Sequence, residues 1–274
     1  MQKPIHVGLL GCGTIGGFVL NSILQGRTKD AVVSVICTKT TTSKGAELAR
    51  KHKIALVHDV QEMIQKQPDV ILESASHESV ETYAERILLS GIGFIPMSLG
   101  ALVDDRLLKR LQSAAEKGNS LFIIPSGGIG GLDAISAAAL MGLDEVTMTT
   151  RKPPEAWKHI SAVENTGIDL DALKEPYLLF EGSARECVKE YPQNINIAAA
   201  LSLAGVGFDK TKIRIFADPT ISTNTHLIEC RGAAGRKSFL FENTPAKENP
   251  KTTYQACASA AEALSLFTSK YIIL

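Results

Sequence analysis

Short apolar runs alternate with stretches of helical spacing through the first 125 residues. IHVGLL (5–10), AVVSVIC (31–37), DVILESA (69–75), GIGFIPMS (91–98) and SLFIIPS (120–126) have the length and β-rich content of strands. Between them GGFVLNSILQG, KGAELARKHK, SVETYAERILLSG and LLKRLQSAAEKG repeat apolar residues at helical spacing. Strands alternating with helices of this length predict βαβ units and a parallel sheet covered on both faces.

The pattern then changes. DEVTMTTRK (144–152), KTKIRIFADP (210–219), NTHLIECRG (224–232) and KSFLFEN (237–243) alternate apolar with polar positions, which predicts a mixed or antiparallel sheet with one solvated face. Helices are expected over 131–142 and 193–204, the second so apolar that it should be buried. TTYQACASAAEALSLF (252–267) is amphipathic and follows a loop containing proline. The expected fold is α/β: a doubly wound parallel sheet over 1–125, an α+β domain over 126–245, and a C-terminal helix within 246–274 packing back on the first domain.

The first strand runs into GCGTIGG, with Gly11, Gly13 and Gly16 at GxGxxG spacing just before a helix. Glycines also mark ordinary turns, but a strand before and a helix after is the context of a Rossmann dinucleotide site. There Gly11 permits the tight turn, Gly13 lets backbone approach a pyrophosphate, and Gly16 seats the helix close to the sheet. The N–H groups of the opening residues, Thr14 and Ile15 among them, then face the anion. About 20 residues on, an NAD site usually places Asp or Glu on the ribose. ICTKTTTSK (36–44) has no carboxylate; Thr38, Lys39, Thr40 and Lys44 suit a 2′-phosphate or form a solvated polar loop. The expected cofactor is NAD or NADP, with NADP at least tolerated.

Other strand ends carry small polar residues. ESASHES (73–79) brings His77 and MSLGA (97–101) brings Ser98 to the expected crevice, where His77 serves substrate, cofactor or a supporting role. In IPSGGIGGLDAI (124–135), glycines crowd a strand end, suiting close approach of a ligand or an interdomain hinge. Of six histidines, His226 sits in an alternating strand of the second domain and suits proton transfer near neutral pH. The five cysteines offer no convincing nucleophile: Cys12 occupies the glycine loop, and Cys187, Cys230 and Cys257 lie in apolar contexts.

Composition narrows the classes. Apolar residues make up 45% of the 274, and 29 basic residues balance 29 acidic ones. No basic stripe interleaved with aromatics is present, which argues against nucleic acid. No apolar run reaches membrane-spanning length, and a strand begins too early for a signal peptide. Cysteines scattered without CxxC spacing predict a reducing, cytoplasmic setting and no metal.

Taken in order, GLLGCGTIG (8–16), ESASHESV (73–80), IPSGGIGGLDAI (124–135), TTRKPPEAW (149–157), FEGSARECVKEYPQNINIAAALSLAG (180–205), IRIFADP (213–219) and NTHLIE (224–229) resemble the L-aspartate dehydrogenase family over nearly the whole chain. The resemblance implies a dinucleotide-binding domain, a substrate domain that builds a homodimer, and NAD(P)-dependent oxidation of L-aspartate. The product, iminoaspartate, hydrolyses to oxaloacetate and ammonia and feeds quinolinate and NAD biosynthesis. It implies His226 as the catalytic histidine and cofactor contacts at Gly128 and Asn196. Asn224, in the same NTH motif, and His77 are candidate substrate contacts, and Arg151, Lys152 and Lys158 candidate partners for the dicarboxylate. Relatives often have alanine at the Gly128 position and an acidic residue where this chain has Thr38–Lys39. The alternatives are another two-domain dehydrogenase, such as homoserine dehydrogenase, and a non-catalytic dinucleotide sensor. Dihydrodipicolinate reductase is disfavoured, because KHIS (158–161) lacks its paired histidines.

Overall fold

The computed structural model describes residues 3–191 and 196–269. They form two compact units, one of the residues up to Pro125 together with those from Ala256 onward, the other Ser126–Gln255.

The first unit holds five strands, β1 (Ile5–Leu10), β2 (Ala31–Cys37), β3 (Ala55–Val57), β4 (Val70–Glu73) and β5 (Gly93–Pro96), in the order β3-β2-β1-β4-β5. All pair in parallel, and β4 and β5 are buried at every position, as a sheet covered on both faces requires. The helices are α1 (Thr14–Leu24), α2 (Lys44–Lys51), α3 (Val60–Gln65), α4 (His77–Leu89) and α5 (Asp105–Gly118). Side chains of Ser43, Asp59, Ser76 and Asp104 accept backbone N–H bonds at the starts of α2 to α5. Gly13, at the start of α1, has no side chain to do so.

SLFIIPS does not become a strand. It makes one parallel bridge, with Phe94 N–H donating to Leu121 O and Ile123 N–H to Phe94 O. The next donors along this ladder fall at Pro96 and Pro125, which have no N–H, so pairing stops there. β5 is shorter at both ends than the 91–98 expected.

The second unit carries β6 (Leu143–Lys152), β7 (Tyr177–Ser183), β8 (Thr211–Ala217), β9 (Asn224–Gly232) and β10 (Gly235–Asn243), ordered β10-β9-β6-β8-β7. Only β6 and β8 are parallel. Helices α6 (Leu132–Leu140), α7 (Ser161–Glu164), α8 (Ala184–Glu190) and α9 (Asn196–Ala204) and the hairpin β11 (Pro245–Ala246) and β12 (Asn249–Thr253) complete it. The expected helix over 193–204 begins at Asn196 among the described residues, and its Ala198–Ser202 stretch is buried. β7, with its apolar and polar positions out of register, and α8, started by a Ser183–Glu186 capping box, escaped the periodicity. So did β3 and α3.

The tail forms α10 (Tyr254–Ala263) and α11 (Ser265–Thr268). Its Ala260, Ala261, Ala263 and Leu264 share a core with Val7, Leu9, Val19 and Leu20 of the first unit.

Two glycines of the SGGIGG loop differ in what they tolerate. Gly131 has φ +70° and a Cβ there would lie 2.7 Å from the Phe239 ring, whereas at Gly128 the nearest atom would be Thr253 Oγ1, at 3.4 Å. Gly131→Ala is expected to cost about 1–3 kcal/mol of stability and Gly128→Ala within about 0.5 kcal/mol of nothing, read from urea unfolding.

Candidate functional site

In the first unit the loop between β1 and α1 is built for close approach. Gly11 has φ +83°, and a Cβ on it would lie 2.9 Å from Ala75 Cβ and 3.0 Å from Ser74 O. A Cβ on Gly16 would lie 2.6 Å from Gly11 O, so α1 sits against the loop only as glycine allows. At Gly13 none of the described residues lies within 4 Å of where a Cβ would point. Without a side-chain cap, the first N–H groups of α1, at Thr14 and Ile15, are available to an anion in that space. The loop also stands at the ends of β1 and β4, where strand order reverses. The cradle fits a dinucleotide pyrophosphate.

Cys12 in this loop is buried, and burial pushes its thiol up to about 11 against the pull of the Lys44 charge. A thiolate nucleophile is therefore absent here.

Sequence reasoning passed over Glu73, which orders the loops at the β4 end. It is fully buried and accepts from Ala75 N–H (2.6 Å), Ser76 N–H (2.9 Å), Ser98 N–H (3.1 Å) and the Ser98 hydroxyl (2.9 Å). Burial raises its pKa while these bonds pull it down. The signal available was a lone carboxylate ending the apolar run DVILE. Ser98 thus holds Glu73 rather than standing free. His77 opens α4 with its ring packed against Gly100, in the first unit.

The loop after β2 turns one candidate side chain inward. Thr38 is buried and its hydroxyl donates to Thr40 O at 2.9 Å, so it shapes the loop instead of presenting a donor. Lys39 is exposed and pairs with Glu78, at 3.5 Å. A Cβ at Gly45 would lie 2.8 Å from Cys12 Cβ and 2.9 Å from Thr38 Cγ2, which keeps the start of α2, with Lys44, against the glycine loop.

In the second unit β6 and β9 pair with Thr150 opposite His226. His226 is 3% exposed, and its Nδ1 lies 3.0 Å from Thr150 Oγ1. Burial, and after it the charge of Lys152, holds the imidazole down to about 3, so it is neutral near pH 7. Lys152, two residues past Thr150 on the same face, is itself 3% exposed and lowered to about 8 by burial and by Lys251. Its Nζ lies 5.1 Å from the Trp157 ring centre, and the Trp157 indole N–H is shared between Lys152 O and Phe216 O. Asn224, two residues before His226, is 1% exposed. Asn243 donates to Gly128 O at 2.6 Å and fixes the glycine loop. Asn196 opens α9, partly buried. Arg151 and Lys158 are engaged elsewhere: Arg151 with Asp218 (3.1 Å), Lys158 with Glu155 (2.9 Å) and Asp171 (2.7 Å).

A doubly wound domain with an open, uncapped glycine cradle, and an α+β unit with a buried neutral imidazole, define a nicotinamide-dinucleotide oxidoreductase of the two-domain dehydrogenase class. Residues 133–266 match the family model "Aspartate dehydrogenase, C-terminal" and residues 11–125 the model "Homoserine dehydrogenase, NAD binding domain". The chain is 39% identical to the L-aspartate dehydrogenase of Methanosarcina barkeri, over 97% of both chains. It is 37% identical to that of Ralstonia pickettii, over 95% of this chain and 96% of the relative. The crystal structure of aspartate dehydrogenase from Thermotoga maritima superposes with a TM-score of 0.76 at 27% identity, covering 98% of this chain and 99% of that one. A homoserine dehydrogenase from Thiobacillus denitrificans, at 12% identity and TM-score 0.61, shares the fold alone. The chain belongs to the L-aspartate dehydrogenase family, and its cofactor is a pyridine nucleotide. Among the described residues no helix is long and apolar enough to cross a membrane.

Burial of a neutral histidine makes stability depend on pH. The ordinary value of 6.5 applies to the unfolded chain and about 3 to the folded one. The unfolded state therefore binds the proton first, and the contribution of His226, complete above pH 6.5, is lost as pH falls toward 3. Replacing His226 with Gln should flatten the fall of melting temperature between pH 6.5 and pH 4, measured by calorimetry; an unchanged slope would contradict the burial argument.

Proposed function

We propose that the chain oxidises L-aspartate to iminoaspartate, which water converts to oxaloacetate and ammonia. The observation that carries this reading is the buried, neutral His226, hydrogen-bonded through Nδ1 to Thr150, in a chain 39% identical to an L-aspartate dehydrogenase over 97% of its length. The bound nucleotide supplies the acceptor for the hydride that leaves the substrate α-carbon. The glycine loop binds its pyrophosphate through Gly11, Gly13 and the N–H groups of Thr14, Ile15 and Gly16, and Gly128 and Asn196 contact the rest of the cofactor.

The substrate amine arrives as ammonium. One proton must leave nitrogen as the hydride leaves carbon, giving the iminium; water then adds and ammonium departs. With Nδ1–H donating to Thr150 Oγ1, the lone pair of His226 sits on Nε2. Nε2 accepts the amine proton and gives it up to solvent; the regenerated lone pair then takes a proton from the attacking water and returns it to the departing nitrogen. His226→Ala should lower kcat by about 10²–10⁴-fold, followed at the absorbance band of the reduced nucleotide with L-aspartate. No L-aspartate-dependent reduction by the wild type would overturn the assignment.

We read NADP as accepted. ICTKTTTSK lacks the carboxylate that would repel a 2′-phosphate, and Lys39 is exposed with only a weak surface pair to Glu78. Lys39→Glu should shift the ratio of kcat/KM for NADP over NAD toward NAD by at least about tenfold, since an added like charge beside the phosphate costs about 1.4 kcal/mol or more. The second unit we read as the substrate and dimerisation domain. The side of its sheet away from α6 and α9 carries Lys212–Glu145, Arg214–Glu181 and Arg236–Glu229 pairs and the exposed Leu240. Light scattering should give the mass of a dimer, and Leu240→Glu should raise the fraction of monomer.

A further inference from the structure

Side chains alternate along paired strands, so β6 and β9 present Thr150 and Lys152, His226 and Asn224 on one buried face near their ends. Two of the four are incomplete. Asn224 Nδ2 donates to Pro250 O at 3.5 Å, but its Oδ1 is enclosed and has no hydrogen-bond partner among the described residues. Lys152 lies over the Trp157 ring with no carboxylate beside it among the described residues, whereas Arg151 and Lys158 are already paired with acids.

A buried ammonium calls for an anion, and an orphaned amide oxygen for an N–H donor. The two needs sit one residue pair from a neutral imidazole. A small molecule that meets both from adjoining atoms is an amino acid, through a carboxylate and its amine.

We propose that Lys152 and Asn224 form the amino-acid subsite: the Lys152 ammonium takes a carboxylate of the substrate, and Asn224 Oδ1 accepts from the substrate amine, holding it at His226. This rests on the oxidation of L-aspartate argued above and assigns the groups that recognise it. It also couples binding to proton transfer. The positive charge of Lys152 disfavours the imidazolium of His226. A carboxylate placed on Lys152 cancels that charge, so His226 becomes a better acceptor when substrate is seated. Lys152 is a binding residue in this account and acts on the proton only through His226.

The test is calorimetric titration of the enzyme saturated with NADPH, where no turnover occurs, using two probes at pH 7. L-Aspartate carries carboxylates and amine; succinate carries the carboxylates alone. Lys152→Met should weaken both by at least about thirtyfold, as removal of one partner of a buried charge pair does. Asn224→Ala should weaken L-aspartate by about fivefold or more and leave succinate within about twofold, the size of one lost hydrogen bond. NADPH affinity should be unchanged in both. Lys152→Met should melt no lower than wild type, because an unpaired buried cation opposes folding; if it melts lower, Lys152→Gln carries the same comparison.

Succinate and L-aspartate binding within threefold of wild type in the Lys152 variant would overturn the carboxylate role. Equal weakening of both probes by Asn224→Ala would overturn the amine role. Wild type that binds NADPH but neither probe would instead defeat the aspartate reading itself.

Discussion

The pairing of β6 with β9 is the constraint on which the second unit depends. Antiparallel register sets Thr150 opposite His226, and the two-residue period puts Lys152 and Asn224 on the same side. A slip of one residue in β9 would turn Asn224 and His226 to solvent and bring Thr225 and Leu227 inward, and the same slip in β6 would turn out Thr150 and Lys152 and bring in Thr149 and Arg151. The register is held by what surrounds it: Val146, Met148 and Ile228 on the same face are fully buried. Apolar packing further along the strands therefore supports a polar group that would not stay buried by itself. That group is costly, since a cation, an amide and an imidazole are withdrawn from water with one strong hydrogen bond among them, between His226 and Thr150. The folded protein keeps a site whose remaining bonds are completed by a ligand.

The first unit reaches the same end by different means. Its glycine loop exposes backbone and not side chains, and the close packing at Gly11 and Gly16 leaves the first turn of α1 open. The carboxylate of Glu73, fully buried, gathers the loops after β4 and β5 through four donors. Its oxygens are taken up by those N–H and O–H groups, which satisfies the buried carboxyl group and ties the two loops together.

What could be read from sequence follows from how local each signal is. The glycine spacing, the parallel strands and the switch to alternating strands after residue 125 are short-range patterns, and all are present in the fold. SLFIIPS had a strand's composition, but its partner strand ends in Pro96, a fact that belongs to pairing and not to either segment. Thr38 had the right residue type for a phosphate, yet its hydroxyl turns to Thr40 O, two residues away. The cations at 151, 152 and 158 were indistinguishable in sequence. Alternation sends Lys152 to the buried face, while Asp218, Glu155 and Asp171 occupy the other two. Glu73 was hidden by the apolar run it ends, and Asn224 became informative only once its amide oxygen was found enclosed.

His226 stands as a neutral imidazole, bonded through Nδ1 to Thr150, beside the charge of Lys152. Nitrogen-15 NMR of the histidine-labelled enzyme tests it most directly, because the two ring nitrogens report protonation and tautomer separately. The His226 ring should remain neutral from pH 8 down to pH 5, with the proton on Nδ1 and a free lone pair on Nε2. A His226 that titrates near its ordinary value of 6.5, or that carries its proton on Nε2, would contradict it.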